Sequence, residues 1–224
     1  MLYVFGVDKM DAFNLGIPTA YFVSFTILAA SVIALSKDNL KARLAYSTVS
    51  QLSYVILGVA LLTPAGIEGG LVHIVNHAFA KITLFFCAGA IFVASHKKNI
   101  SEMQGLGRVM PFTFAAFAVA SLSMIGVPPV GGFVSKWFLL LGAIDARQLG
   151  IVLVLLASTL LNISYFAPVV YSAFFVKPAD AHAYDGVREA RPAVLAPLLI
   201  TAGLSVAAGI YPAFFINLIK GVFS

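Results

Sequence analysis

The sequence predicts an all-α polytopic membrane protein, and three observations carry that prediction. Hydrophobic residues make up 61% of the 224 positions and charged residues 10%, where a water-soluble domain carries about 25% charged residues. Apolar runs of about 20 residues recur from end to end, each long enough to cross about 30 Å of hydrocarbon at 1.5 Å per residue. Twelve of the fourteen Lys and Arg lie between those runs, the pattern of membrane topology and not of a nucleic-acid surface. The solvent of the folded chain is lipid, and the bilayer is its first partner.

The first ten residues, Met1 to Met10, show neither a basic n-region nor a small-residue cleavage site, so no signal peptide is expected. Spanning helices are expected at Leu15–Leu35, Arg43–Leu62, Gly70–Ala94, Leu149–Val176 and Ala193–Asn217. A sixth segment, Pro111–Asp145, is 35 residues of nearly continuous apolar character, roughly 52 Å if straight. Gly126-Val127-Pro128-Pro129-Val130-Gly131-Gly132 sits in its middle. Pro128 and Pro129 each remove a backbone donor and clash with the preceding turn, so this segment is expected as one helix broken between Gly126 and Gly132. About six transmembrane segments in a single domain, residues 1–224, result.

With alternating sides, one face collects Lys37, Lys41, Arg43, Lys97, Lys98, Arg108, Lys177, Arg188 and Arg191, and the other Lys9, Arg147 and Lys220. Nine against three places the basic face in the cytoplasm and both termini outside, in the cell's inner membrane. The single cysteine, Cys87, lies inside an apolar run, which excludes a disulfide framework and a Cys-based metal site. No cofactor, metal or nucleophile motif stands in the chain.

All nine carboxylates, Asp180 among them, fall in loops or at helix edges. The ionisable groups left inside the membrane are His73, His77, Lys81 and Lys136, with no carboxylate partner there. A lysine at the centre of a spanning helix costs about 2.5–3.5 kcal/mol and persists where it faces a cavity, a partner or water. His73, His77 and Lys81 recur at i, i+4 and i+8, one stripe about 12 Å long, and imidazoles feeding a buried amine make a path for protons. Asn76 and the polar groups of the preceding helix (Ser47, Thr48, Ser50, Gln51, Ser53 and Tyr54) supply places for connecting water. Backbone freed by the helix break is tolerated at membrane depth only where it is enclosed by protein or lines a water-filled cavity, and Lys136 follows Gly132 by four residues. Tyr46, Tyr54, Tyr165 and Tyr171 read most simply as packing and interface aromatics.

Three ordered strings, Lys41-Ala42-Arg43-Leu44-Ala45-Tyr46-Ser47-Thr48-Val49-Ser50-Gln51, His73-xxx-His77-Ala78-Phe79-Ala80-Lys81 and Gly126-Val127-Pro128-Pro129-Val130-Gly131-Gly132-Phe133-Val134-Ser135-Lys136-Trp137, resemble a known family. They are similar to the antiporter-like subunits of respiratory complex I, membrane-bound hydrogenases and Mrp-type sodium/proton antiporters, over a stretch from about Asp11 to the C-terminus. Members have fourteen helices, including two inverted five-helix repeats, each with a broken helix and each forming half of a proton path. The resemblance implies that residues 11–176 are the second repeat, that 193–217 is a closing helix, and that Lys81 is the central lysine. It further implies that His73 and His77 feed Lys81, and that Lys136 is the terminal residue leading to one face. The function it implies is translocation of protons, with sodium coupled in some members, by a split or truncated subunit of an ion-translocating complex. The partners would be other membrane subunits, including a chain supplying the first repeat with its glutamate–lysine pair. A non-conducting assembly module and a stand-alone secondary transporter are the competing readings.

Overall fold

The computed structural model describes residues 6–178 and 184–223. Residues Met1 to Phe5 of the amino-terminal reading, and Asp180, lie outside them. The described residues form α1 (Val7–Ala12), α2 (Gly16–Ser36), α3 (Leu40–Ala60), α4 (Pro64–Ser95), α5 (Pro111–Ile125), α6 (Gly131–Asp145), α7 (Leu149–Phe175), α8 (Pro192–Ile210) and α9 (Ala213–Phe223). Two short 3₁₀ turns, Ile100–Glu102 and Leu106–Arg108, join α4 to α5.

The helix starts are set locally. Asn39 accepts from the Ala42 amide at 3.1 Å and Thr63 from the Gly66 amide at 3.2 Å, each satisfying a donor that a helix N-terminus leaves open. Pro64 occupies the first turn of α4, where its missing N–H costs nothing. At the start of α5 the Glu189 carboxylate accepts from the Phe112 amide at 2.8 Å and the Thr113 hydroxyl at 2.6 Å, so a loop residue caps a helix distant in sequence.

The 32 residues of α4 form the axis of the bundle: α3, α5, α6, α8 and α9 all pack against it. Inner positions of α2 such as Ala20, Val23, Ile27, Ala30 and Ala34 recur every three or four residues and are buried, while Phe22 and Phe25 on its other side are 73% and 71% exposed. Outward aromatics of this kind suit lipid or another membrane chain as neighbour.

The broken helix is as expected. α5 ends at Ile125 and α6 begins at Gly131. Gly126 takes φ +90°, which costs a residue without a Cβ little. At Gly132 a Cβ would fall inside the Ser123 carbonyl, so the half-helices approach as closely as their backbones allow.

Two spans differ most from the sequence reading. α4 starts at Pro64, six residues before Gly70, because the capping threonine and proline extend the helix past the apolar run. The expected span Ala193–Asn217 is two helices: α8 stops at Ile210 and α9 begins after Tyr211 and Pro212, since Pro212 cannot donate to the preceding turn. Among the described residues four helices, α2, α4, α7 and α8, are long and apolar enough to cross a membrane. α3 is equally as long as α2 but carries the hydroxyl and amide residues from Ser47 to Ser53, which lower its hydropathy. Its polar side is buried, while Val49, Leu52 and Ile56 on the other side are exposed.

Candidate functional site

The axis helix α4 carries the expected stripe, and the fold buries it: His73, Asn76, His77 and Lys81 are between 2% and 8% exposed. The His73 and His77 rings stack with centroids 6.0 Å apart, and the Tyr54 ring lies 5.4 Å from His73 on the other side. Lys81 follows His77 by one helical turn, and at the other end the Tyr54 ring lies against both His73 and the Lys136 ammonium. The four ionisable groups singled out from sequence therefore form one file, in the order Lys81, His77, His73, Lys136.

Each lysine is held by neutral acceptors. Lys81 Nζ donates to the Leu44 carbonyl at 2.9 Å and to the Ser47 hydroxyl, both on α3. The Phe166 ring lies 5.9 Å from the same nitrogen. Lys136, partly buried, reaches back over the helix break to the carbonyls of Met124 and Ile125, 2.9 Å each. Those carbonyls end α5, where the helix leaves its last acceptors unpaired and its dipole is negative. The broken helix thus builds the socket for its own lysine. The Tyr54 ring, 5.2 Å away, faces the same ammonium, and a pocket of about 170 Å³ lined by Tyr54, Gly126, Lys136 and Trp137 opens beside it.

The start of α6 is tied to the stripe. His73 Nδ1 hydrogen-bonds Ser135 Oγ at 2.8 Å, and Asn76 Nδ2 donates to the Gly131 carbonyl at 2.7 Å. Pro128 and Pro129 lie in the break that these bonds close against α4.

Two of the expected supporting groups behave differently from each other. Ser50 donates to the Ile27 carbonyl at 3.1 Å and lies 2.9 Å from the Ser31 hydroxyl, stitching α3 to α2. Gln51 is fully buried with neither amide atom hydrogen-bonded by a protein group, as are the free Nε2 atoms of His73 and His77. Buried polar atoms left open by protein are the positions that internal water occupies.

The sequence reading placed Tyr54 and Tyr165 among packing aromatics, and Tyr54 also among the polar groups of its helix; both rings pack in the hydrophobic core. Tyr46 and Tyr171 are exposed, but Tyr54 and Tyr165 are at 0% with their hydroxyls inside the polar seam. Tyr165 Oη donates to Asn162 Oδ1, and Asn162 Nδ2 donates to the Met124 carbonyl at 3.3 Å, the same oxygen that holds Lys136. Arg43 Nη1 donates to the Tyr165 carbonyl at 3.0 Å, fixing that turn of α7 against α3. Sequence carried a signal for this: Ser158, Asn162 and Tyr165 recur at i, i+4 and i+7 on an otherwise apolar helix.

Residues 8–176 match the family model described as NADH:quinone oxidoreductase/Mrp antiporter, transmembrane. The chain belongs to this family. As an antiporter-like chain it is 40% identical over 148 residues to the NADH-quinone oxidoreductase subunit N of Desulforudis audaxviator, covering 66% of this chain and 30% of the relative. It is 35% identical over 206 residues to the F(420)H(2) dehydrogenase subunit L of Methanosarcina mazei, covering 85% and 30% respectively. The fold is shared with a chain in the Mrp complex from Dietzia sp. DQ12-45-1b, with TM-score 0.84 at 24% identity over 91% of this chain and 46% of that one. The chain spans about 30% of the length of these curated relatives.

Proposed function

We propose that the chain moves protons across the membrane as the second-repeat part, residues 11–176, of an antiporter-like subunit, through the relay Lys81, His77, His73 and Lys136. The observation that carries this reading is the single file of those four groups, three buried and Lys136 partly buried, with a lysine at each end seated on neutral oxygens. Because Leu44 O, Ser47 Oγ, Met124 O and Ile125 O bear no formal charge, neither ammonium is locked by an ion pair. A neutral amine still has two N–H donors for the same oxygens and gains a lone pair. Lys81 can therefore lose and regain a proton without its side chain leaving the socket. Each histidine between the lysines offers ring nitrogens that can hold a proton on one side and accept one on the other.

This repeat works beside other membrane subunits, with a first repeat supplying the charge whose movement drives release from Lys81. The basic loops face the cytoplasm of the inner membrane and both termini the outside. The test is proton uptake by vesicles containing the complex purified with its partner subunits, followed with and without sodium. Lys81→Ala is expected to abolish uptake while the complex stays assembled, and near-normal uptake by that variant would refute the relay. Uptake that requires sodium on the opposite side adds sodium as the second cargo.

A further inference from the structure

The file of histidines is one connection between the two lysines. α7 holds a second, which neither the motif strings nor the stripe on α4 includes. Ser47, which takes a hydrogen bond from Lys81, belongs to the group of α2 and α3 side chains, with Ser31 and Gln51, that faces the Tyr165 hydroxyl. On its other side that hydroxyl donates to Asn162, and Asn162 shares the Met124 carbonyl with Lys136. Tyr165 and Asn162 are both at 0% exposure. The Tyr54 hydroxyl, also buried and not hydrogen-bonded by protein, faces Asn162 and Ser158, so the seam continues to the aromatic ring above Lys136.

We propose that Tyr165 is a proton-passing station between Lys81 and Lys136, with Asn162 as its positioning residue. The inference rests on the relay proposed above and adds a limb to it. A phenol hydroxyl has one proton to give and lone pairs to receive one. A proton leaving the Lys81 ammonium reaches Tyr165 Oη from the Ser47 and Gln51 side. The proton already on Oη leaves through internal water at the open Tyr54 hydroxyl to a Lys136 that begins as a neutral amine, so Lys81 ends as a neutral amine, Lys136 as an ammonium, and tyrosine is neutral before and after. Asn162 carries no proton itself. Its carbonyl oxygen orients the Tyr165 hydroxyl away from Ser47, and its amide fixes the oxygen on which Lys136 rests, so it aligns donor and receiver. Asn162 alone satisfies the hydroxyl as a donor, and the polar groups on α2 and α3 lie on its accepting side.

The experiment compares Tyr165→Phe, Asn162→Leu and Lys81→Ala in the reconstituted complex, with a pull-down of partner subunits as the control for folding. Tyr165→Phe keeps the ring and removes one oxygen, and is expected to assemble normally and to slow proton uptake several-fold, to the rate that the histidine file alone carries. Asn162→Leu is expected to slow it less, since the hydroxyl remains but is no longer aimed. A second measurement separates passage of a proton from propping of the helix. Replacing Tyr165 with 3,5-difluorotyrosine leaves the shape nearly unchanged and makes the hydroxyl more acidic, and the pH profile of uptake is expected to move toward lower pH. Wild-type uptake by Tyr165→Phe overturns the proposal, as does an unmoved pH profile in the difluoro form. If Lys81→Ala itself pumps, the relay fails first; if it does not and Tyr165→Phe does, only the α7 limb falls.

Discussion

Lys136 Nζ lies 2.9 Å from the carbonyl oxygen of Met124, on the far side of the helix break. The two residues belong to different half-helices, α6 and α5, and meet only because Gly126 and Gly132 let the chain turn back on itself. The bond resolves two costs at once: an ammonium at membrane depth gains acceptors, and a helix end that has lost its following turn gains a donor.

Replacing Lys136 with methionine is expected to leave the Met124 and Ile125 carbonyls without their ammonium donor, costing about 1–3 kcal/mol of stability as well as proton uptake. Lys136→Arg keeps a donor and a charge there, so it should retain most of the stability while still losing uptake, because guanidinium does not release its proton. Thermal unfolding of the detergent-purified complex alongside the vesicle assay separates the two effects. An unchanged midpoint in the methionine form would show that the socket does not hold α5.

At Lys81 the informative comparison is alanine with arginine. Lysine in the Leu44 and Ser47 socket can be neutral for part of a cycle, whereas arginine stays charged. Lys81→Arg is therefore expected to fail nearly as badly as Lys81→Ala, with assembly intact in both. If Lys81 were a fixed counter-ion for a partner subunit, arginine would pump and alanine would assemble poorly, and the pull-down beside the uptake assay reads the difference.

Orientation is open to a labelling test. The count of nine basic residues on one face and three on the other predicts Glu68 outside and Lys97 in the cytoplasm. Native Cys87 is buried and adds little background. Glu68→Cys is expected to react with an impermeant maleimide from the outside of intact cells, and Lys97→Cys only after the membrane is opened. Reaction of Glu68→Cys from the cytoplasmic side alone would invert the topology.

The motif strings foretold the family, and the proline pair foretold the break between α5 and α6, because both are local properties of the chain. The extra break before α9 was equally local, yet Pro212 was absorbed into an apolar run that hydropathy alone reads as continuous. Ser50 and Gln51 stand side by side in sequence and were indistinguishable there. In the bundle Ser50 joins α3 to α2 and Gln51 faces Tyr165, a difference that one residue, about 100° of helix rotation, is enough to produce.

By itself the sequence determined that the chain lives in lipid, where its helices run, that one of them breaks at Gly126–Gly132, and that His73, His77 and Lys81 share a stripe. Each follows from composition or from a period of 3.6 residues within one helix. Only the tertiary structure decided that Lys136 closes that stripe from another helix, that its anchor is the Met124 carbonyl, and that Asn162, bonded to Tyr165, shares that carbonyl. Those are pairings across helices, 12 residues apart for Lys136 with Met124, 38 for Asn162 with Met124 and 62 for His73 with Ser135, and the rotation and depth at which helices meet are set by how all their faces pack together, which no single segment encodes.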